Sequence, residues 1–128
     1  MPSQKRKFGD LGESIGQEYL VKKGYQIIEK NYLKPWGEID IIAKKNGAVI
    51  FFEVKTRDKK NVEHYPAEFA INRDKIRKLQ KTCETYLSER RYGHGQEWQI
   101  DVLAISIEKQ NMKAIVDHIE NAVWEKIY

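Results

Sequence analysis

The sequence predicts an α/β domain with a mixed sheet, its elements running in the order αβββαββ(α). Three observations carry that reading. Residues 9–23 and 72–91 repeat apolar side chains at helical spacing, while five shorter runs are rich in Ile, Val, Phe and Tyr. Asn46-Gly47 stands between the two most apolar of those runs, and an Asn-Gly pair in that setting is the strongest short-range hairpin signal. One helical pattern precedes the strands and the other divides them, in a chain of 128 residues that suffices for one domain with one core.

Taken in order, residues 1–8 carry the basic run Lys5-Arg6-Lys7 and are expected to be flexible. Within 9–23, Leu11, Ile15 and Tyr19 fall on one side, Gly12, Gly16 and Leu20 continue the arc, and Glu13 stands at its edge. The small residues imply another backbone at close range, and Gly24 ends the helix. Residues 25–33 read as a first strand, stopped at Lys34-Pro35. Residues 38–44 and 48–56 form the hairpin, and the polar stretch 58–68 reads as a loop. The helix over 72–91 buries Ile76, Leu79, Cys83, Tyr86 and Leu87 and turns Lys75, Arg77, Lys78 and Lys81 outward. Gly93-His94-Gly95 breaks the chain. Residues 98–107 and 113–118 read as two more strands, and 120–126 as a short terminal helix.

Composition narrows the function classes. No apolar run approaches the roughly 20 residues of a membrane span, and no apolar stretch follows the basic start, so neither membrane insertion nor a signal peptide is expected. One cysteine, Cys83, excludes an internal disulfide and fits a reducing cytoplasm. His64, His94 and His118 are scattered without metal-ligand spacing to it, and read as ordinary surface or core histidines. The net charge of +4 is compatible with a nucleic-acid partner without requiring one. More telling is where the positive charge gathers: residues 5–7, 55–60 and 73–81.

The hairpin carries the chemistry. With Asn46-Gly47 at the centre of a type I′ turn, Ile42 faces Phe51, Ile41 faces Phe52, Asp40 faces Glu53 and Glu38 faces Lys55. Cross-strand neighbours are about 5 Å apart at Cβ, and like charges directly opposite are destabilising. Asp40 against Glu53 is therefore a defect unless something positive lies between them, and a divalent cation with a hard-oxygen preference answers that need. A solvated salt-bridge ladder, with Glu38–Lys55 as a rung, is the plainer account. It is weakened because the strand is apolar on both faces before Glu53 and so should be buried on both. A one-residue bulge would shift the register.

Asp40 followed by Glu53-Val54-Lys55 on the next strand resembles the active-site motif of the PD-(D/E)XK nuclease superfamily. Gly12-Glu13, the run from Gly37 to Ala43, Phe52-Glu53-Val54-Lys55 with Arg57, Lys75 to Leu79, and Asp101-Val102 together resemble the YraN family of small bacterial proteins. The arrangement is also similar to that of archaeal Holliday-junction resolvases. The resemblance implies a restriction-endonuclease-like core and a Mg²⁺-dependent (or Mn²⁺-dependent) endonuclease acting on DNA, branched or structured DNA by analogy with the resolvases. Asp40 and Glu53 would bind the metal, the Val54 carbonyl would be a further ligand, and Glu13 would complete the site or remain a solvated boundary residue. Lys55 would orient or deprotonate the attacking water, or stabilise the transition state. Arg57, Lys59, Lys60, Lys75 and Lys78 would contact backbone phosphates. Glu38 is better read as a partner of Lys55 or Arg57, and Arg77 and Lys81 as a solvated face. Trp36 and Tyr65 would stack on bases, with capping of the core an equal role for Trp36. Two departures from the family pattern, Leu33 where an arginine is usual and Gln99-Ile100 where an arginine-phenylalanine pair is usual, remove positive charge near the site. The alternatives are a non-catalytic nucleic-acid-binding or repair-accessory module, and a structural protein with a charged hairpin. A symmetric junction would favour a homodimer, but nothing in the sequence demonstrates one.

Overall fold

A computed structural model describes residues 4–59 and 73–122. Helix α1 (Gln4–Lys22) leads into β1 (Gln26–Lys34), β2 (Gly37–Lys45) and β3 (Ala48–Asp58), and helix α2 (Arg73–Glu89) leads into β4 (Trp98–Glu108) and β5 (Lys113–Ile119). The protein is α/β: one five-stranded mixed sheet, order β1-β2-β3-β4-β5, with helices against it. Only β3 and β4 run parallel, and α2 lies between them in the chain. That is the expected order of elements. The terminal helix expected over 120–126 falls largely outside the described residues, as does most of the loop 58–68. Helix α1 starts at Gln4, earlier than the apolar periodicity indicates, so Lys5-Arg6-Lys7 belongs to its first turns.

The core has two halves, one on each face of the sheet. Ile76, Leu79, Cys83 and Tyr86 of α2 pack with Ile39, Ile42, Val49, Phe51 and Ile100. On the opposite face Leu20 of α1 joins Ile41, Ala43, Ile50, Phe52, Leu103 and Ile105. Burying both faces explains why β3 and β4 read as nearly continuous apolar runs. The line of α1 against the sheet is Gly12, Gly16 and Leu20, while Leu11, expected to be buried, is 48% exposed. A Cβ added at Gly12 would lie 1.8 Å from Thr56 Oγ1, so the glycine is what brings α1 onto β3. This close approach carries the neighbouring Glu13 towards the strand ends.

Asn46 (φ 51°) and Gly47 (φ 81°) both have positive φ, as a type I′ turn demands. The register it sets is the expected one for five pairs, from Lys45–Ala48 to Ile41–Phe52. There the ladder stops. Asp40 and Glu53, and likewise Glu38 and Lys55, are not backbone partners, which corrects the uninterrupted pairing expected from the turn. Ile39 belongs to the α2 half of the core and Ile41 to the α1 half, although residues two apart on a regular strand share a face. Strand β2 therefore turns over at Asp40 as it parts from β3.

Candidate active site

Asp40 sits where the two strands separate, and its side chain takes over a task the ladder has dropped. Asp40 Oδ2 accepts a hydrogen bond from the Val54 N–H at 2.7 Å, at the place where continued pairing would have brought Ile39. The carboxyl is pushed up to about 7. Burial is the main cause, reinforced by the nearby Glu13, Glu53 and Glu38 carboxylates and opposed by the Val54 hydrogen bond. Four acidic groups from α1, β2 and β3 thus lie close enough to feel one another. Glu13 is itself shifted upward, first by burial and then by Glu38 and Asp10, with Lys30 opposing. In both carboxyls, burial and like charge outweigh whatever positive charge lies near.

Glu53 is held differently. Its Oε1 receives Lys55 Nζ at 3.2 Å from the same strand and Lys75 Nζ at 3.1 Å from α2. Its Oε2 is buried and has no hydrogen-bond partner among the described residues. A buried carboxylate oxygen without a donor is costly, and it is the kind of atom that a cation completes. The donor set of Asp40 and Glu53 is all hard oxygen, which suits Mg²⁺ or Mn²⁺, ions commonly held by one or two carboxylates together with water and phosphate. The arrangement fits such an ion through two carboxylates and not through a closed cage: Glu13, Asp40 and Glu53 are not among the groups that bring three ligand atoms within 4.8 Å of one another.

One group of described residues does meet that distance: Asp101, His118 and Glu120. Sequence spacing missed it, because β4 and β5 bring Asp101 and His118 together from 17 positions apart. The atoms of Asp101 and His118 are already occupied. Asp101, fully buried, accepts from Gln99 Nε2 (2.8 Å) and the Asn121 N–H (2.8 Å) on Oδ1, while Oδ2 lies 2.7 Å from His118 Nε2. The other ring nitrogen of His118 lies 3.4 Å from the Tyr19 hydroxyl. A charged Asp101 in the buried middle of β4 was the visible signal of this network. Gln99, where an arginine was expected, supplies one of its hydrogen bonds.

The remaining residues divide. Lys59, Lys75 and Lys78 are exposed, and Lys59 pairs with Glu108 at 3.2 Å. Lys60 and Tyr65 lie outside the described residues. Arg57 is not an outward phosphate contact: it is 7% exposed and donates from Nε to Ser106 Oγ at 2.9 Å, because pairing of β3 with β4 continues to Asp58 and covers it. Glu38 is exposed and the Lys55 ammonium goes to Glu53, so the expected Glu38–Lys55 rung is replaced. Trp36 is half-buried beside α2, with Lys81 Nζ 4.3 Å from its ring centroid, and the adjoining Gly37 approaches so closely that an added Cβ would meet Thr82 Oγ1 at 2.4 Å. Capping the core suits Trp36, and Lys81 has a partner. Cys83 is buried, and burial pushes its thiol well above the usual range, against a nucleophilic role. Leu33 is 70% exposed at the edge of the sheet.

Residues 12–105 match the profile of the uncharacterised protein family UPF0102. The chain belongs to this family, also called YraN. A UPF0102 protein of Fusobacterium nucleatum is 40% identical to it, covering 93% of this chain and 92% of its own. One of Thermodesulfovibrio yellowstonii is 38% identical over 92% and 96%, and one of Vibrio parahaemolyticus 33% identical over 94% and 95%. Among solved structures, an XisH family protein of Nostoc punctiforme is similar at a TM-score of 0.38 and 15% identity, covering 86% of this chain and 99% of that one. An fdxN element excision controlling factor of Anabaena variabilis has the same TM-score at 12% identity. Likeness at this level adds nothing to the site. No described helix is long and apolar enough to cross a membrane.

Proposed function

We propose that this UPF0102 protein is a Mg²⁺- or Mn²⁺-dependent DNA endonuclease that hydrolyses phosphodiester bonds, with branched or otherwise structured DNA as its preferred substrate. One observation carries the reading: Asp40, raised to about 7 by burial and neighbouring carboxylates, lies beside a Glu53 whose buried Oε2 has no partner among the described residues. Structural carboxylates are normally satisfied, as Asp101 is; this pair is arranged for a ligand.

Asp40 and Glu53 would hold the ion, with Glu13 near enough to reach it through water. When bound, the ion supplies a polarised scissile phosphate and a water of lowered pKa. Lys55, whose ammonium lies on Glu53 Oε1, would stabilise negative charge developing on the phosphate. The Val54 N–H keeps one Asp40 oxygen oriented and leaves the other for the ion. Lys59 and Lys78 contact backbone phosphates, giving salt-sensitive binding without base readout.

The test is to incubate purified protein with labelled four-way junction, duplex and single strand, with and without Mg²⁺ or Mn²⁺. Metal-dependent cutting, strongest on the junction and lost in Asp40→Asn and Glu53→Gln, is expected. Binding without cutting, unchanged in those variants, would replace this reading with a non-catalytic nucleic-acid-binding module. Equal cutting of all three substrates would remove the preference for branched DNA and leave the chemistry standing.

A further inference from the structure

Two lysines share one oxygen of Glu53, and they reach it from different places. Lys55 stands two residues away on β3, so the backbone keeps it beside Glu53 whatever the site contains. Lys75 reaches across from the first turns of α2, and its side chain is 46% exposed against 31% for Lys55 and 15% for Glu53. An ammonium on a long, solvent-facing stem can leave a carboxylate for a phosphate with little cost, since both partners accept the same hydrogen bonds.

We propose that Lys75 couples ion loading to DNA binding: its ammonium neutralises Glu53 in the empty site and moves to a backbone phosphate when DNA arrives, freeing Glu53 for the divalent ion. The inference rests on the metal-site reading of Asp40 and Glu53 and goes beyond it, because that reading requires no contribution from α2. The physical basis is charge. A cation 3.1 Å from Glu53 Oε1 opposes a second cation at the same carboxylate, and DNA phosphate relieves the opposition by attracting the first. Such coupling is reciprocal, so the ion also tightens DNA binding. Lys75 is thus a positioning residue for the ion, acting through Glu53, and only afterwards a contact to DNA.

The experiment is calorimetric titration of Mn²⁺ into metal-free protein, alone and with an uncleavable phosphorothioate four-way junction bound. Wild type, Lys75→Met, Lys75→Arg and Arg77→Met are compared, with Asp40→Asn as the control that removes the site. Lys75→Met is expected to bind Mn²⁺ about fivefold more tightly than wild type without DNA, the scale of a largely solvent-exposed ion pair, and to gain less when DNA is added. Lys75→Arg and Arg77→Met should behave as wild type. Thermal melting of each variant excludes a folding defect, which an exposed side chain is not expected to cause. Unchanged or weaker Mn²⁺ binding by Lys75→Met, or an equal gain in Arg77→Met, overturns the coupling while the metal site stands. No Mn²⁺ binding by any protein, Lys75→Met included, overturns the metal-site reading itself and the inference with it.

Discussion

Two carboxylates of this sheet, Asp101 and the half-buried Asp40, are held in opposite ways, and the contrast shows what a satisfied group looks like beside an unsatisfied one. Asp101 has a donor for every oxygen: Gln99 and the Asn121 N–H on one, His118 on the other. Asp40 has one donor, three acidic neighbours and a carboxyl raised to about 7, and the adjacent Glu53 keeps a buried oxygen with no partner among the described residues. Distance alone favours Asp101, His118 and Glu120 as a metal group. Satisfaction favours Asp40 and Glu53. A network that is complete without a ligand contributes to the fold, and one that is incomplete without a ligand is maintained at a cost to it.

The largest expected effect on this contrast is on catalysis. Glu53→Gln should lower metal-dependent cleavage by roughly a thousandfold or more, since the change removes a charge from the ion's ligands. Single-turnover assays on the junction check it, and Asp101→Asn should cut at close to the wild-type rate if folded. Stability should respond in the opposite order. Asp101→Ala leaves His118, Gln99 and the Asn121 N–H without their acceptor in a buried place and should cost about 2–4 kcal/mol in urea unfolding. Asp40→Asn should cost nothing, because an amide oxygen still accepts from Val54.

The same comparison sharpens with pH. The Asp40 carboxyl is pushed up to about 7 in the metal-free fold, from an ordinary value of 3.8. The folded state holds this proton more tightly, so the stabilising contribution is present at acid pH and is lost as pH rises from the unfolded value through the folded one. Asp40→Asn removes the penalty and should raise the unfolding free energy at pH 8 by up to about 4 kcal/mol while changing little near pH 4, as urea unfolding at the two pH values would read. Equal effects at both pH values would show that burial does not strain this carboxyl. The smallest effect concerns the exposed lysines: Lys78→Ala should weaken all DNA forms alike and reduce the salt slope by about one.

Much of the sheet was legible in the sequence because its rules are local. Asn46-Gly47 specified a turn with two positive φ values and, through it, five pairs of the β2–β3 ladder. Apolar periodicity located α2, and the glycines of α1 announced its close approach to β3. The candidate site was readable as a set of residue types but not as geometry. Pairing extrapolated from the turn assumes an unbroken ladder, and β2 turns over at Asp40, where the side chain replaces a backbone acceptor. A register shift of the bulge kind occurs between β1 and β2, near Ile27 and Glu29, whereas the β2–β3 ladder keeps its register and simply ends. Arg57 looked exposed because its burial depends on Ser106 of β4, a partner 49 positions away. Asp101 and His118 meet for the same long-range reason.

The most direct measurement is anomalous diffraction from crystals of the protein soaked in Mn²⁺, which reads both carboxylate clusters in one map. A peak between Asp40 and Glu53, absent in Glu53→Gln, is the expected result, with Asp101 still bonded to His118. A peak at Asp101, His118 and Glu120, with Glu53 still held by its two lysines and no density beside it, would contradict the central claim.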